Sequence, residues 1–144
     1  MHIESIKTTQ ATPSAPTGTT STTAVMMGLA DGLAAGSVTL QGSGRILIML
    51  SGVMKNDTTA DGVTVQLSYG TGTAPGNGDA LTGTQVGAIV SFTALTGMLS
   101  SPFAVQAIVS GLTVGTTYWL DAAVKAVTAG TATISLLSLS AIEL

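Results

Sequence analysis

Val63-Thr64-Val65-Gln66-Leu67-Ser68-Tyr69 alternates apolar and polar residues without a break. Side chains of a β-strand point to opposite faces in turn, so Val63, Val65, Leu67 and Tyr69 share one face and Thr64, Gln66 and Ser68 the other. This is the pattern of an antiparallel strand with one buried face. Upstream, Asn56 to Gly62 is a polar connection. Arg45 to Met54 before it is apolar on both faces over much of its length, as expected of a central strand covered on two sides. Nearer the N-terminus, Val38 and Leu40 form a short run ending at Gly42-Ser43-Gly44, and Val25, Met27 and Leu29 alternate until Asp31-Gly32. Downstream, Gly70 to Gly83 is a glycine-rich loop around Pro75-Gly76-Asn77-Gly78. Strands are then expected from about Gln85 to Ala94 and from Pro102 to Ser110, with Phe103, Val105, Ala107 and Val109 on one face. Two more run from Thr117 to Val127 and from just after Ala129-Gly130 to the C-terminus. About eight strands with no convincing amphipathic helix predict an all-β fold, a single antiparallel β-sandwich over residues 24–144.

Residues 1–23 read differently. Thr8 to Thr23 is a run of Thr, Ser, Ala and Gly with Pro13 and Pro16, lacks apolar periodicity, and cannot bury enough apolar surface to offset its ordering entropy. An extended N-terminal arm is expected there. It is either a frayed terminus or an arm that orders on a neighbouring subunit, with Ile3 and Ile6 as its sizeable apolar anchors. The C-terminal strand also departs from simple alternation. Ile134 and Leu136 share one phase, Leu137 and Leu139 take the other, and Ile142 and Leu144 return to the first. Either a bulge shifts the register, or both faces are buried, one in the core and one against a partner that Leu137 and Leu139 would contact. Tyr118 and Trp119 point to opposite faces of one strand, so one belongs to the core and the other, with Trp119 the choice, is a candidate interface anchor.

The 144-residue chain carries 8% charged residues, against about 25% in an ordinary soluble domain. It has no Cys, one His, 18 Gly and 45% apolar residues. No stretch approaches the roughly 18 consecutive apolar residues of a membrane helix, and Met1 to Lys7 has no apolar segment of the secretory kind, so neither membrane insertion nor Sec export is expected. Lys7, Arg45, Lys55 and Lys125 are scattered, and a net charge of −3 argues against nucleic acid, which needs clustered cations. A monomer with so few surface charges is prone to associate, so the composition fits a chain that lives inside an assembly.

Catalysis is hard to build from these residues. The imidazole is His2, in the expected arm, and no thiol exists for nucleophilic or zinc chemistry. The carboxylates Glu4, Asp31, Asp57, Asp61, Asp79, Asp121 and Glu143 are dispersed, several in turns where Asp usually caps its own backbone. Asn56 to Gly62 lacks the alternating oxygen ligands and distal Glu of a calcium loop. Gly70 to Gly78 carries neither Gly-x-Gly-x-x-Gly nor Gly-Lys-Ser/Thr. No catalytic residue, metal or cofactor is expected.

Gly111-Leu112-Thr113-Val114-Gly115-Thr116-Thr117-Tyr118-Trp119-Leu120, the closing run Thr133 to Leu144 and Tyr69-Gly70-Thr71-Gly72-Thr73-Ala74-Pro75 resemble the compact β-sandwich domains of tailed-bacteriophage virion proteins, of jelly-roll or tumour-necrosis-factor-like type. The Gly-Thr-x-Tyr element also resembles the tyrosine corner of fibronectin type III domains. With its small size and Thr/Pro-rich arm, the chain looks most like a capsid decoration, or cement, protein. That resemblance implies a homotrimer, synthesised in the host cytoplasm and seated on the outer capsid surface, where it bridges copies of a major capsid protein. A receptor- or glycan-binding tip domain of a tail fibre or surface adhesin is the alternative, and it expects exposed aromatic rings near the Gly70 to Gly83 loop.

Overall fold

The computed structural model describes residues 8–11, 13, 15–31 and 36–144, the first four by their backbone. It contains strands β1 (Thr8–Ala11), β2 (Val25–Met26), β3 (Ser37–Thr39), β4 (Ile46–Asn56), β5 (Gly62–Gly70), β6 (Thr84–Thr93), β7 (Ser100–Val109), β8 (Thr117–Ala126) and β9 (Ala132–Glu143). Among the described residues no helix is long and apolar enough to cross a membrane.

The pairing follows one plan. β1 pairs with β9, β2 and β3 with β8, β4 with β7 and β5 with β6, all antiparallel. The chain is thus one long hairpin, and its two arms are rolled up by further pairings of β4 with β9 and β5 with β8. The result is two facing sheets, ordered β1-β9-β4-β7 and β2-β8-β5-β6, with β3 also on β8. This is the jelly-roll arrangement of an antiparallel sandwich.

Alternation places the core. Ile46, Ile48, Leu50 and Met54 of β4 and Ile134, Leu137, Leu139 and Ala141 of β9 meet Val63, Val65 and Leu67 of β5 and Leu120, Ala122 and Val124 of β8 between the sheets. Phe103, Val105, Ala107 and Val109 face inward from β7, as their shared phase requires. Tyr118 is also in the core, and its hydroxyl accepts the Thr113 N–H at 3.0 Å, pinning the turn that precedes β8.

Three expectations change here. Arg45 to Met54 is not covered on both faces within the chain: its even-numbered residues enter the core, while Leu47, Met49 and Val53 are only half-buried on the outside. The alternating stretch from Val25 contributes only the short strand β2, because the chain turns at Gly28 (φ 70°). In the segment expected as an arm, Thr8–Ala11 lies on the chain's own β9, and the Thr19 N–H and C=O both pair with Ala132 at 2.8 Å.

The irregular phase of β9 is a bulge. Ser51 faces Ser138 but Val53 faces Ser135, so Gly52 alone opposes Leu136 and Leu137. Gly52 is required there, since a Cβ would stand 2.6 Å from the Ser135 carbonyl oxygen and 2.7 Å from Leu137 Cδ2. The extra residue, Leu136, takes the left-handed conformation (φ 51°) that side chains other than glycine avoid. The bulge returns Leu137 and Leu139 to the core and leaves Leu136 81% exposed.

Candidate interaction surface

The outer face of the β1-β9-β4-β7 sheet follows from register. Leu47 faces Ile108 on β7 and Ile142 on β9, giving an apolar row across three strands. Met49 lies between Gln106 and Ser140, Ser51 between Ala104 and Ser138, and Val53 between Pro102 and Ser135. Ile108 is 58% exposed, although its neighbours Ala107 and Val109 face the core. Between Arg45, just before β4, and Lys55, near its end, none of these outward residues is charged. A shallow groove of about 400 to 510 Å³ accompanies each sheet's outer face, the larger one here, along Met49, Ser51, Ala104, Gln106, Ser138 and Ser140.

The other sheet covers part of its own outer face. The outward residues of β8 include Trp119 and Asp121, which would be exposed on a bare strand, yet both are buried. The chain at 26–31 and the loop at 70–83 fold over them. Met26, Ala30 and Ala74 pack on Trp119, whose ring N–H donates to the Thr71 carbonyl at 3.1 Å. Gly70 and Gly83 flank the indole so closely that a Cβ at either would overlap the ring. Gly70 and Gly83 therefore serve packing, and Gly83 also needs its left-handed φ of 73°. The two segments are joined by Met26 N–H to the Asp79 carbonyl and Gly78 N–H to the Met26 carbonyl, both 2.9 Å.

The buried carboxylates are acceptors for loop backbone. Asp121 takes the N–H groups of Gly28 (3.0 Å), Leu29 (3.1 Å) and Ala122 (2.7 Å). Burial pushes its pKa up to about 6 despite those bonds. Glu143 takes the N–H groups of Gln41 (2.9 Å), Gly42 (2.7 Å) and Ser43 (2.8 Å). Burial opposes its ionised form, but this cluster of N–H donors prevails and holds the group below the ordinary Glu range. In Asp61 burial is likewise outweighed by the Gly62, Thr128 and Ala129 N–H groups, and Asp57 is lowered by the N–H and hydroxyl of Thr131. Among the described residues no group of three or more His, Cys, Asp or Glu is placed to hold a metal ion.

These shifts have opposite signs and fix a pH profile. Asp121 binds its proton more tightly folded than unfolded, so its contribution is complete below the ordinary value of 3.8 and is lost as pH rises through about 6. Glu143, Asp61 and Asp57 contribute above the ordinary carboxylate range and lose that contribution as pH falls. The melting temperature is expected to rise as pH is lowered from about 7 to about 5 and to fall below about 4. A thermal-unfolding series tests this, and a monotonic loss of stability from pH 7 downward would refute the assignment to Asp121.

The structure separates the residues singled out from sequence. Ile3 and Ile6 lie outside the described residues. Trp119 is 5% exposed, Leu137 2% and Leu139 0%, so these three anchor the chain's own interior rather than presenting themselves to a partner. The physical reason is loop cover over Trp119 and the bulge beneath Leu137 and Leu139. The outward apolar positions of the β1-β9-β4-β7 sheet instead include Leu47, Ile108, Ile142 and Leu136. The first is legible as the odd phase of a doubly apolar strand, whereas Leu136 is brought out only by the bulge. Tyr69, Phe92, Phe103, Tyr118 and Trp119 are all buried or half-buried, which leaves the glycan-binding alternative without the exposed rings it expects.

No family model matches this sequence, and no curated protein is similar to it in sequence. The fold does have relatives among solved structures. A chain in the structure of infectious bursal disease virus Gx strain superposes with a TM-score of 0.54 at 14% identity, covering 96% of this chain and 33% of the other. This chain therefore spans about a third of that neighbour's length. Eiger TNF from S. frugiperda aligns at 11% identity over 95% of this chain and 85% of its own, with a TM-score of 0.41. At such identities the likeness to the viral chain is one of fold.

Proposed function

We propose that this chain is a non-enzymatic structural protein of a virus particle, assembling through the uncharged outer face of the β1-β9-β4-β7 sheet. The observation that carries the reading is the row Ile142-Leu47-Ile108, set in a Ser/Ala/Met/Gln surface with no charge between Arg45 and Lys55. Depletion of charge around apolar side chains marks the centre of a protein interface. The sandwich shared with a chain of a virus structure supports the reading, and so does the use of Asp61, Asp121 and Glu143 to tie down loops. The resemblance of residues 111–120 and 133–144 to tailed-phage decoration proteins extends it. On that extension the particle is a phage capsid, and the protein is a trimer on its outer surface that bridges copies of the major capsid protein.

Sedimentation of the purified protein at micromolar concentration is expected to give three times the 14.2 kDa chain mass, and cryo-electron microscopy of purified particles is expected to place it on the capsid exterior. A monomer at every concentration, together with absence from particles, would overturn the proposal.

A further inference from the structure

Two costs meet at Leu136 in the β9 bulge, and the role inferred for this residue rests on the assembly reading. Its φ of 51° lies in the left-handed region, a conformation that a bulge of this kind ordinarily gives to glycine. Its side chain is also 81% exposed, ahead of Ile89 at 63% and of every other large apolar side chain among the described residues. The other described non-glycine residue with a positive φ is Ala60, which is small and lies in a turn. The chain's own core explains the bulge, since the extra residue returns Leu137 and Leu139 to the interior. It does not explain the leucine. Glycine or asparagine adopts that backbone more readily, and a side chain left in water adds little to packing. Strain held at a surface position therefore points to a role outside the isolated chain.

Register shows what lies beside it. Ser135 faces Val53 and Ser138 faces Ser51, so Leu136 stands at the margin of the outer face that carries the row Ile142-Leu47-Ile108. Ser138 also lines that face's groove of about 510 Å³, with Met49, Ser51, Ala104 and Gln106, and none of the residues lining it is charged. One face thus carries a projecting leucine and an uncharged recess that its own leucine, turned to solvent, does not fill. These two features are complementary between copies of the chain. Because they are different patches, the contact can pass from copy to copy and close a ring, as a trimer requires. We propose that Leu136 is an anchor of assembly, seated in the groove beside Met49, Ser51 and Ala104 of a second copy.

Leu136→Gly removes both costs, so stability and assembly should move in opposite directions. Its melting temperature is expected to match the parent's or exceed it by up to about 3 °C. Its association, read by sedimentation over a concentration series, should weaken about 10- to 100-fold, the worth of one buried leucine. A leucine that served only its own fold would instead lower stability. The contact itself is tested by cross-linking, because the chain has no native cysteine. Leu136→Cys and Ala104→Cys are placed in separate chains, the two are co-expressed, and the assembled protein is oxidised. A disulfide joining one chain of each kind is expected, seen as a dimer on non-reducing gels and confirmed by peptide mass spectrometry. The proposal is overturned if Leu136→Gly assembles at parental affinity, if its melting temperature falls by more than about 5 °C, or if the two cysteine chains do not join. When that happens and the parent sediments as an oligomer, only the role of Leu136 falls. When the parent sediments as a monomer, the assembly reading falls with it.

Discussion

Asp121→Ala is expected to destabilise the fold by about 3 kcal/mol and lower the melting temperature by about 10 °C. The residue occupies an outward position on β8, opposite Ser68, yet is fully buried because the chain at 26–31 and 70–83 closes over it. Its carboxylate is the acceptor for the N–H groups of Gly28 and Leu29, and Ala122 donates to it from the next position. Removing the acceptor strands these donors, and each buried, unpaired donor costs about 1–3 kcal/mol. Relief from burying a charge offsets part of that sum, which is why the expected loss is below the upper limit. The turn at Gly28 has no cheap alternative, because its φ of 70° is set against the backbone of Asn77. Since the same two segments bury Trp119, the variant should also shift indole fluorescence to the red before global unfolding. Asp121→Asn keeps one acceptor oxygen, so it should lose about half as much and flatten the stability profile between about pH 4 and 6. A melting temperature within about 2 °C of the parent for Asp121→Ala would show that the loops hold without the carboxylate.

Leu47→Glu is expected to leave the fold in place and to abolish assembly. Leu47 is half-buried on the central part of its sheet, between Ile108 and Ile142. In a free chain a carboxylate there projects into water, and such surface changes usually cost within about 0.5 kcal/mol of stability. In the middle of an interface it is desolvated without a partner, a cost of several kcal/mol. At about 1.4 kcal/mol per tenfold, association weakens by at least about 100-fold. Circular dichroism and sedimentation at one concentration separate the two effects. Ile89→Glu, at a more exposed apolar site on the other sheet (63% exposed), serves as the control and should assemble normally. Assembly of Leu47→Glu at parental affinity would remove this face from consideration.

The period-two reading located most strands because alternation is a local property. Val63 to Tyr69 and Phe103 to Val109 place their inward residues as their phase requires. It went astray where a strand's second face meets something distant in sequence. Trp119 has the composition of an interface anchor, but the segments that cover it come from residues 26–30 and 71–74, and no pattern within β8 announces them. Leu137 and Leu139 were ambiguous for the same reason. A change of phase says that either a bulge or a second buried face is present, and only the packing of Gly52 against Ser135 and Leu137 decides between them.

By itself, then, the sequence determined an all-β sandwich, a shortage of charge and a chain with no Cys and one His. These follow from composition and from the alternation of side chains along each strand. The tertiary structure decided where the missing charge matters. It showed that one sheet covers the outer side of Trp119 and Asp121 with its own loops while the other leaves Leu47, Ile108 and Ile142 uncovered, and that Thr8–Ala11 completes the edge beside them. The physical reason is that exposure depends on which strands and loops lie across a given face. In a rolled hairpin those partners are separated by up to the full length of the chain.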